Sequence, residues 1–224
     1  MDSLALVTLR IDFALHKART EDISVQDALA KYAGIYRILR RVPPELVSSS
    51  LSSLDYSQKN RGELAGFFLK MKKRFSIGEL DEKEECFYYN LKRVYQAYLH
   101  FNNSVSPRHP MKGAELENRK RELGKIAEDI RKNRPEVRRL KSGSWIWSLT
   151  SFQALMPEDF VASLEEVINP ETHSYAQFGQ FVRYDGTLNT DKAEQFRRTW
   201  KFPVKTLEGE CGIADFIKLY QPKI

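Results

Sequence analysis

Cysteine is scarce: Cys86 and Cys211 are the only two in 224 residues, 125 positions apart, and neither belongs to a CxxC pair. Two thiols cannot form a four-thiolate zinc site or a disulfide framework, so both read as buried side chains. Long apolar runs are also missing, because charged or polar residues interrupt every stretch well before the roughly 18 residues that a membrane helix needs. No membrane span is expected. The opening "MDSLALVTLRIDFALHK" has no basic n-region, and Arg10 and Asp12 break its apolar run, which argues against a secretory signal and for a cytoplasmic location. A phosphate cradle needs clustered glycines at a helix start, and the nearest approach, "KSGS" at Lys141 to Ser144, lacks both the upstream glycine and the Gly-Lys order. His16, His100, His109 and His173 show neither HxxxH nor HExxH spacing, and no GxSxG elbow occurs. No metal, cofactor or hydrolase site is therefore expected.

What is present fits a folded, mostly helical protein. The apolar fraction is 42%, the charged fraction 29%, and 13 Phe, 10 Tyr and 3 Trp are too many aromatics for a disordered chain. Ala5 to His16 fits both a repeat of two and a helical stripe, and its length favours helix. Ser24 with Asp27 forms a variant capping box ahead of a helix whose apolar residues run to Leu39 and which stops at Pro43-Pro44. A short Ser-rich element follows at Glu45 to Leu54, then a helix at Lys59 to Phe75. Leu80 to Phe101 carries the strongest helical spacing, with Phe87, Leu91, Val94, Tyr98 and Phe101 on one face. Its acidic start, Glu79 to Glu85, reads as helix-terminus chemistry.

"NNSVSPRHPMKG", Asn102 to Gly113, has turn formers and two prolines but no apolar period, and reads as a linker. It suggests an N-terminal lobe at 1–103 and a C-terminal lobe at 113–224, joined by 104–112. Further helices are predicted at Ala114 to Lys132, after Pro135, around Trp145 to Leu155, from Pro157, at Tyr175 to Tyr184 and at Thr190 to Lys201. The tail allows a short strand or hairpin before a helical end at Ile213 to Tyr220. The predicted fold is thus all-α, an irregular arrangement of about eight helices with at most a minor C-terminal β-hairpin.

The chain has a net charge of +6 and a pI near 9.2, a moderate bias toward polyanions. That surplus is local. Asn118 to Lys141 holds ten basic and four acidic residues, the same +6, so the remaining 200 residues balance. On a helical wheel Leu116, Leu123, Ala127 and Ile130 form an apolar stripe, with Arg121, Lys125 and Lys132 opposite and Glu115, Glu122 and Asp129 along one flank. Glu117 with Arg121 and Glu128 with Lys132 suit i,i+4 pairing. Beyond Ile130, Arg131, Lys132, Arg134, Arg138, Arg139 and Lys141 face only Glu136 before Trp145 and Trp147. Uncompensated arginines suit phosphates, and an indole can stack on an unpaired base. Arg197, Arg198 and Trp200 repeat the mixture in "RRTWKF". The bland alternative puts the tryptophans in the core with arginines lying over them.

Two short tracts resemble known families. Arg93 and His100, separated by six residues in the chain, resemble the Arg-x(4–6)-His motif of HEPN-type ribonucleases, helical proteins whose dimers pair two such motifs. The resemblance implies an acid/base His100 and a phosphate-stabilising Arg93, although Val94 stands where that family often has a polar residue; Arg10 and His16 share the spacing. "RYDGTLNTDK", Arg183 to Lys192, resembles a tract near the C-terminus of orthobunyavirus nucleoproteins, basic helical proteins that encapsidate RNA. That match covers ten residues with one insertion and one deletion. The leading expectation is a non-enzymatic protein that binds nucleic acid, RNA before DNA, through Arg131, Lys132, Arg134, Arg138, Arg139, Lys141, Arg197 and Arg198, with Trp145, Trp147 and Trp200 as stacking surfaces. A helical ribonuclease and a helical assembly protein, homo-oligomeric or with a protein partner, are the alternatives.

Overall fold

A β-hairpin stands where the spacing most strongly predicts a helix. The computed structural model describes residues 4–33, 61–74, 85–167 and 177–221. It runs Phe87–Arg93 as β1, turns at Val94 and Tyr95, and returns as Gln96–Phe101, β2. The strands pair antiparallel with Phe87 opposite Phe101 and Leu91 opposite Ala97, and a bulge falls between Leu91 and Arg93. Both periods are present in these residues. Phe87, Tyr89 and Leu91, then Ala97, Leu99 and Phe101, alternate at the repeat of two, and the β-favouring Tyr and Phe content agrees with it.

Three further strands complete the sheet: Arg139–Ser144 (β3), Glu165–Glu166 (β4) and Leu207–Gly212 (β5), in the order β1-β2-β3-β5-β4. β2 and β3 are parallel and the other neighbours antiparallel. The described residues also form eight α-helices: Leu4–Glu21 (α1), Val25–Tyr32 (α2), Arg61–Arg74 (α3), Ala114–Asn133 (α4), Thr150–Gln153 (α5), Glu158–Ala162 (α6), Thr190–Thr199 (α7) and Ile213–Tyr220 (α8). The all-α expectation is therefore overturned in favour of an α/β fold with a mixed sheet. Arg139–Ser144 escaped recognition because Leu140 is its only apolar residue, which leaves no alternation to see. Pro135 begins a turn that feeds β3 rather than a helix. The residues expected to continue the second helix to Leu39, its stop at Pro43-Pro44, Glu45 to Leu54, Glu79 to Glu84, and 168–176 with His173 lie outside the described residues.

The chain divides into two compact units, Met1–Glu82 with Asn169–Val182 and Gly186–Pro203, and Lys83–Ile168 with Arg183–Asp185 and Val204–Ile224. The segment 104–112 runs inside the second, where Ser106 is buried and Asn102 donates its N–H to the Cys86 carbonyl at 2.7 Å. In the first unit, α1 buries residues all around its circumference, from Leu6, Val7 and Leu9 to Phe13, Ala14 and Ala18. A helix enclosed on every side has no single apolar stripe, which explains its ambiguous period. Ser24 caps α2 by accepting the Asp27 N–H at 3.0 Å. Phe13, Phe178, Phe181, Phe196 and Phe202 pack edge-on or tilted around one another.

In the second unit one face of the sheet, with Phe87, Ala97, Leu99, Leu140 and Cys211, packs with Leu123, Ile126, Ala127 and Ile130 of α4 and with Trp147, Phe152, Phe160 and Phe216. β5 passes close under α6 at Gly209, where a Cβ would meet Leu164 Cδ2 at 2.9 Å and the Phe160 carbonyl oxygen at 3.0 Å. Gly209→Ala is expected to destabilise the protein by about 1–3 kcal/mol through overpacking, read as a lowered denaturation midpoint. No described helix is long and apolar enough to cross a membrane.

Candidate nucleic-acid interface

Structure gives most of the basic segment acidic partners, some within one helical turn and some remote in sequence. Arg139 pairs with Glu210 and Lys141 with Glu208 at 2.9 Å, both across the β3–β5 ladder. Near the end of α4, Glu128 accepts from Arg131 at 2.8 Å and from Lys132 at 2.7 Å, which holds its carboxyl down at about 2. Glu117 pairs with Lys120 at 2.9 Å, while Arg121 turns to Asn118. Arg119 is not on the wet side at all: it is buried, touches Cys86 Sγ and pairs with Glu122 at 2.9 Å, and Glu122 accepts the Phe87 N–H at 3.1 Å. Exposed pairs of this kind contribute about 0–1 kcal/mol each and can exchange a carboxylate for a phosphate.

One end of the sheet carries several exposed arginines. The Tyr95 carbonyl accepts the N–H groups of Arg138 and Arg139 at 2.9 and 3.2 Å, which ties the β1–β2 turn to the start of β3. Ile213 N–H donates to the Arg138 carbonyl at 2.9 Å, so α8 begins at the same place. Arg93, Arg138 and Arg139 are exposed at this turn, and Arg134 is exposed in the segment that leads to β3. The Arg138 guanidinium contacts the Pro135 carbonyl at 2.5 Å, and Arg134 lies by the Tyr89 hydroxyl and Asp129. Tyr95 and Val94 are each 64% exposed at the apex, and Leu91 is 38% exposed on the edge strand. Glu136, Glu210 and Asp215 belong to the same segments, and Asp129 beside Arg134 is a fourth acid.

The tryptophans divide. Trp147 is fully buried, donates its indole N–H to Ser142 Oγ at 2.8 Å and meets Phe160 edge-on at 5.0 Å. Trp147 is a core residue and its assignment as a stacking surface is corrected; Trp145 is half-buried against the same core. Trp200 is partly buried and stacks on His16 at 4.6 Å and 12°. Arg197 pairs with Asp12 at 2.8 Å, whereas Arg198 is exposed with no ion pair among the described residues.

Arg93 and His100 do not share a helix face. Arg93 stands opposite Gln96 at the turn, and His100 lies four residues further along β2, about 13 Å away at strand rise. His100 stacks on Tyr88 at 4.9 Å and 15°. Those positions do not reproduce the helical pairing that a HEPN-type site implies. Arg10, the other candidate arginine, is buried beside the Phe178 ring.

Nucleophile chemistry finds no support at the cysteines. Burial pushes the Cys86 thiol up to about 11 and the Cys211 thiol to about 12. Neither is expected to react with iodoacetamide near pH 8 in the folded protein, and both should alkylate after denaturation, as intact-mass analysis would show. Among the described residues no group of three His, Cys, Asp or Glu could hold a metal ion. The chain matches no protein-family model, no curated protein and no solved structure.

Proposed function

We propose that the protein binds nucleic acid, RNA in preference to DNA, through the basic rim at the β1–β2 turn, as a non-enzymatic nucleoprotein component. The observation that carries this reading is that the Tyr95 carbonyl holds the N–H groups of Arg138 and Arg139, which brings two chain segments with the exposed Arg93, Arg138 and Arg139 to the turn that bears the exposed Tyr95, with the exposed Arg134 a few residues before β3. Guanidinium groups supply phosphate contacts, and an exposed ring offers a face to a base that is not already stacked in a duplex. Single-stranded RNA is accordingly the favoured ligand. Two buried free thiols suit a reducing compartment, and with it a cytoplasmic location.

Fluorescence anisotropy with a labelled single-stranded RNA oligonucleotide tests the reading. Saturable binding at about 50 mM salt, tighter than to the matching duplex, is the expected result, and no binding at that salt overturns it. A second reading has its own support: Leu91, Val94 and Tyr95 form an exposed apolar tip on an edge strand, which suits a protein contact. That reading predicts self-association or partner capture without RNA, abolished by Val94→Lys and Tyr95→Lys.

A further inference from the structure

We propose that the first unit contains an oxyanion pocket, sized for one phosphate or sulfate group, built by His16, Arg19, Arg61 and Trp200. This is independent of the RNA reading, which rests on the second unit alone. The cavity is about 120 Å³ and is lined by Asp12, Leu15, His16, Arg19, Arg61 and Trp200. At about 30 Å³ per water it has room for roughly four waters, enough for a tetrahedral oxyanion and too little for a nucleobase.

Helical periodicity puts Asp12, Leu15, His16 and Arg19 on one face of α1. Asp12 looks at first like an obstacle to an anion. Its side chain is only 3% exposed, however, and it is held by Arg61 at 2.5 Å and Arg197 at 2.8 Å. Asp12 is thus held by two guanidinium groups at once, and the exposed Arg19 stands on the same helix face toward the cavity. Lys17, next to His16, is committed to Glu21 at 2.9 Å. The imidazole plane is fixed by the stacked indole of Trp200. Trp200 holds φ +53, a left-handed conformation that a bulky residue rarely adopts, at the point where α7 ends. Such conformations persist where surrounding structure over-determines them and are enriched at ligand sites.

His16 faces Lys17 and Arg19 on its own helix, Asp12 one turn before it, Arg61 from α3, and Arg197 and Trp200 from the end of α7. Burial first, then Lys17 and Arg19, keep its pKa below the ordinary value in the empty pocket. A bound anion reverses that balance, so binding takes up a proton and strengthens as pH falls. Sulfate is the decisive probe because its charge does not change in this range.

Isothermal titration of the full chain with sodium sulfate, at constant ionic strength, should give one saturable site that is several-fold tighter at about pH 5.5 than at about pH 8. Arg19→Gln should weaken it about tenfold while leaving the melting temperature unchanged, and His16→Gln should remove the pH dependence. Arg19 is exposed, so that variant does not put folding at risk. Inorganic phosphate and adenosine 5′-monophosphate separate the sources: equal affinity means that the oxyanion alone is read, and tighter binding of the nucleotide means that the group is presented on an ester. No saturable sulfate site in the folded protein, or an unchanged affinity in Arg19→Gln, overturns the proposal.

Discussion

Trp147→Ala is expected to destabilise the protein by about 3–5 kcal/mol, the range for deleting a large aromatic side chain from a packed core. The side chain has no exposed surface and packs against Phe87 and Phe160. Its indole N–H donates to Ser142 Oγ, which in turn donates to the Leu99 carbonyl at 2.9 Å, so the substitution also removes the buried hydrogen bond between the segment after β3 and β3 itself. Urea denaturation at unchanged slope measures the loss. Weakened RNA binding in a variant of undiminished stability would contradict the core assignment, because only a surface indole can matter to a ligand without mattering to the fold.

Salt dependence of RNA binding is the second large expected effect. If the rim neutralises four or five phosphates, the slope of log K against log salt should be about −0.7 per phosphate for a single strand, or about −2.8 to −3.5. Between 50 and 200 mM salt the affinity should then fall by about 50- to 130-fold. The ion pairs of Arg139 with Glu210 and of Lys141 with Glu208 bear on this number, since each must release a carboxylate before it serves a phosphate. A slope near zero would leave no role for the arginines.

The sequence was most legible where structure is local. α4 repeats its apolar residues at helical spacing over 20 residues, and Ser24 caps α2 as the spacing of Ser24 and Asp27 implies. β1 and β2 were misread because a short hairpin of mixed Tyr, Phe and Leu satisfies both periods, and only pairing with distant strands decides between them. The site divides in the same way. Arg134, Arg138 and Arg139 stand out as a run, but Arg93 and Tyr95 lie more than 35 positions upstream and join them through the Tyr95 carbonyl and the β2–β3 pairing. Glu208 and Glu210 neutralise part of the run from about 70 positions downstream, and no window on the basic segment could include them. The signal that could have found Tyr95 was the repeat of two on either side of it.

Arg93→Glu tests the central claim most directly, because the sequence run does not contain Arg93 and only the fold places it at the rim. At about 50 mM salt its affinity for single-stranded RNA should fall by about tenfold or more, with a shallower salt slope. Lys205→Glu, at the opposite end of β5 where Lys205 pairs with Glu166, should change affinity by less than about twofold. Equal effects of the two substitutions, or none from Arg93→Glu, would contradict a binding rim at the β1–β2 turn.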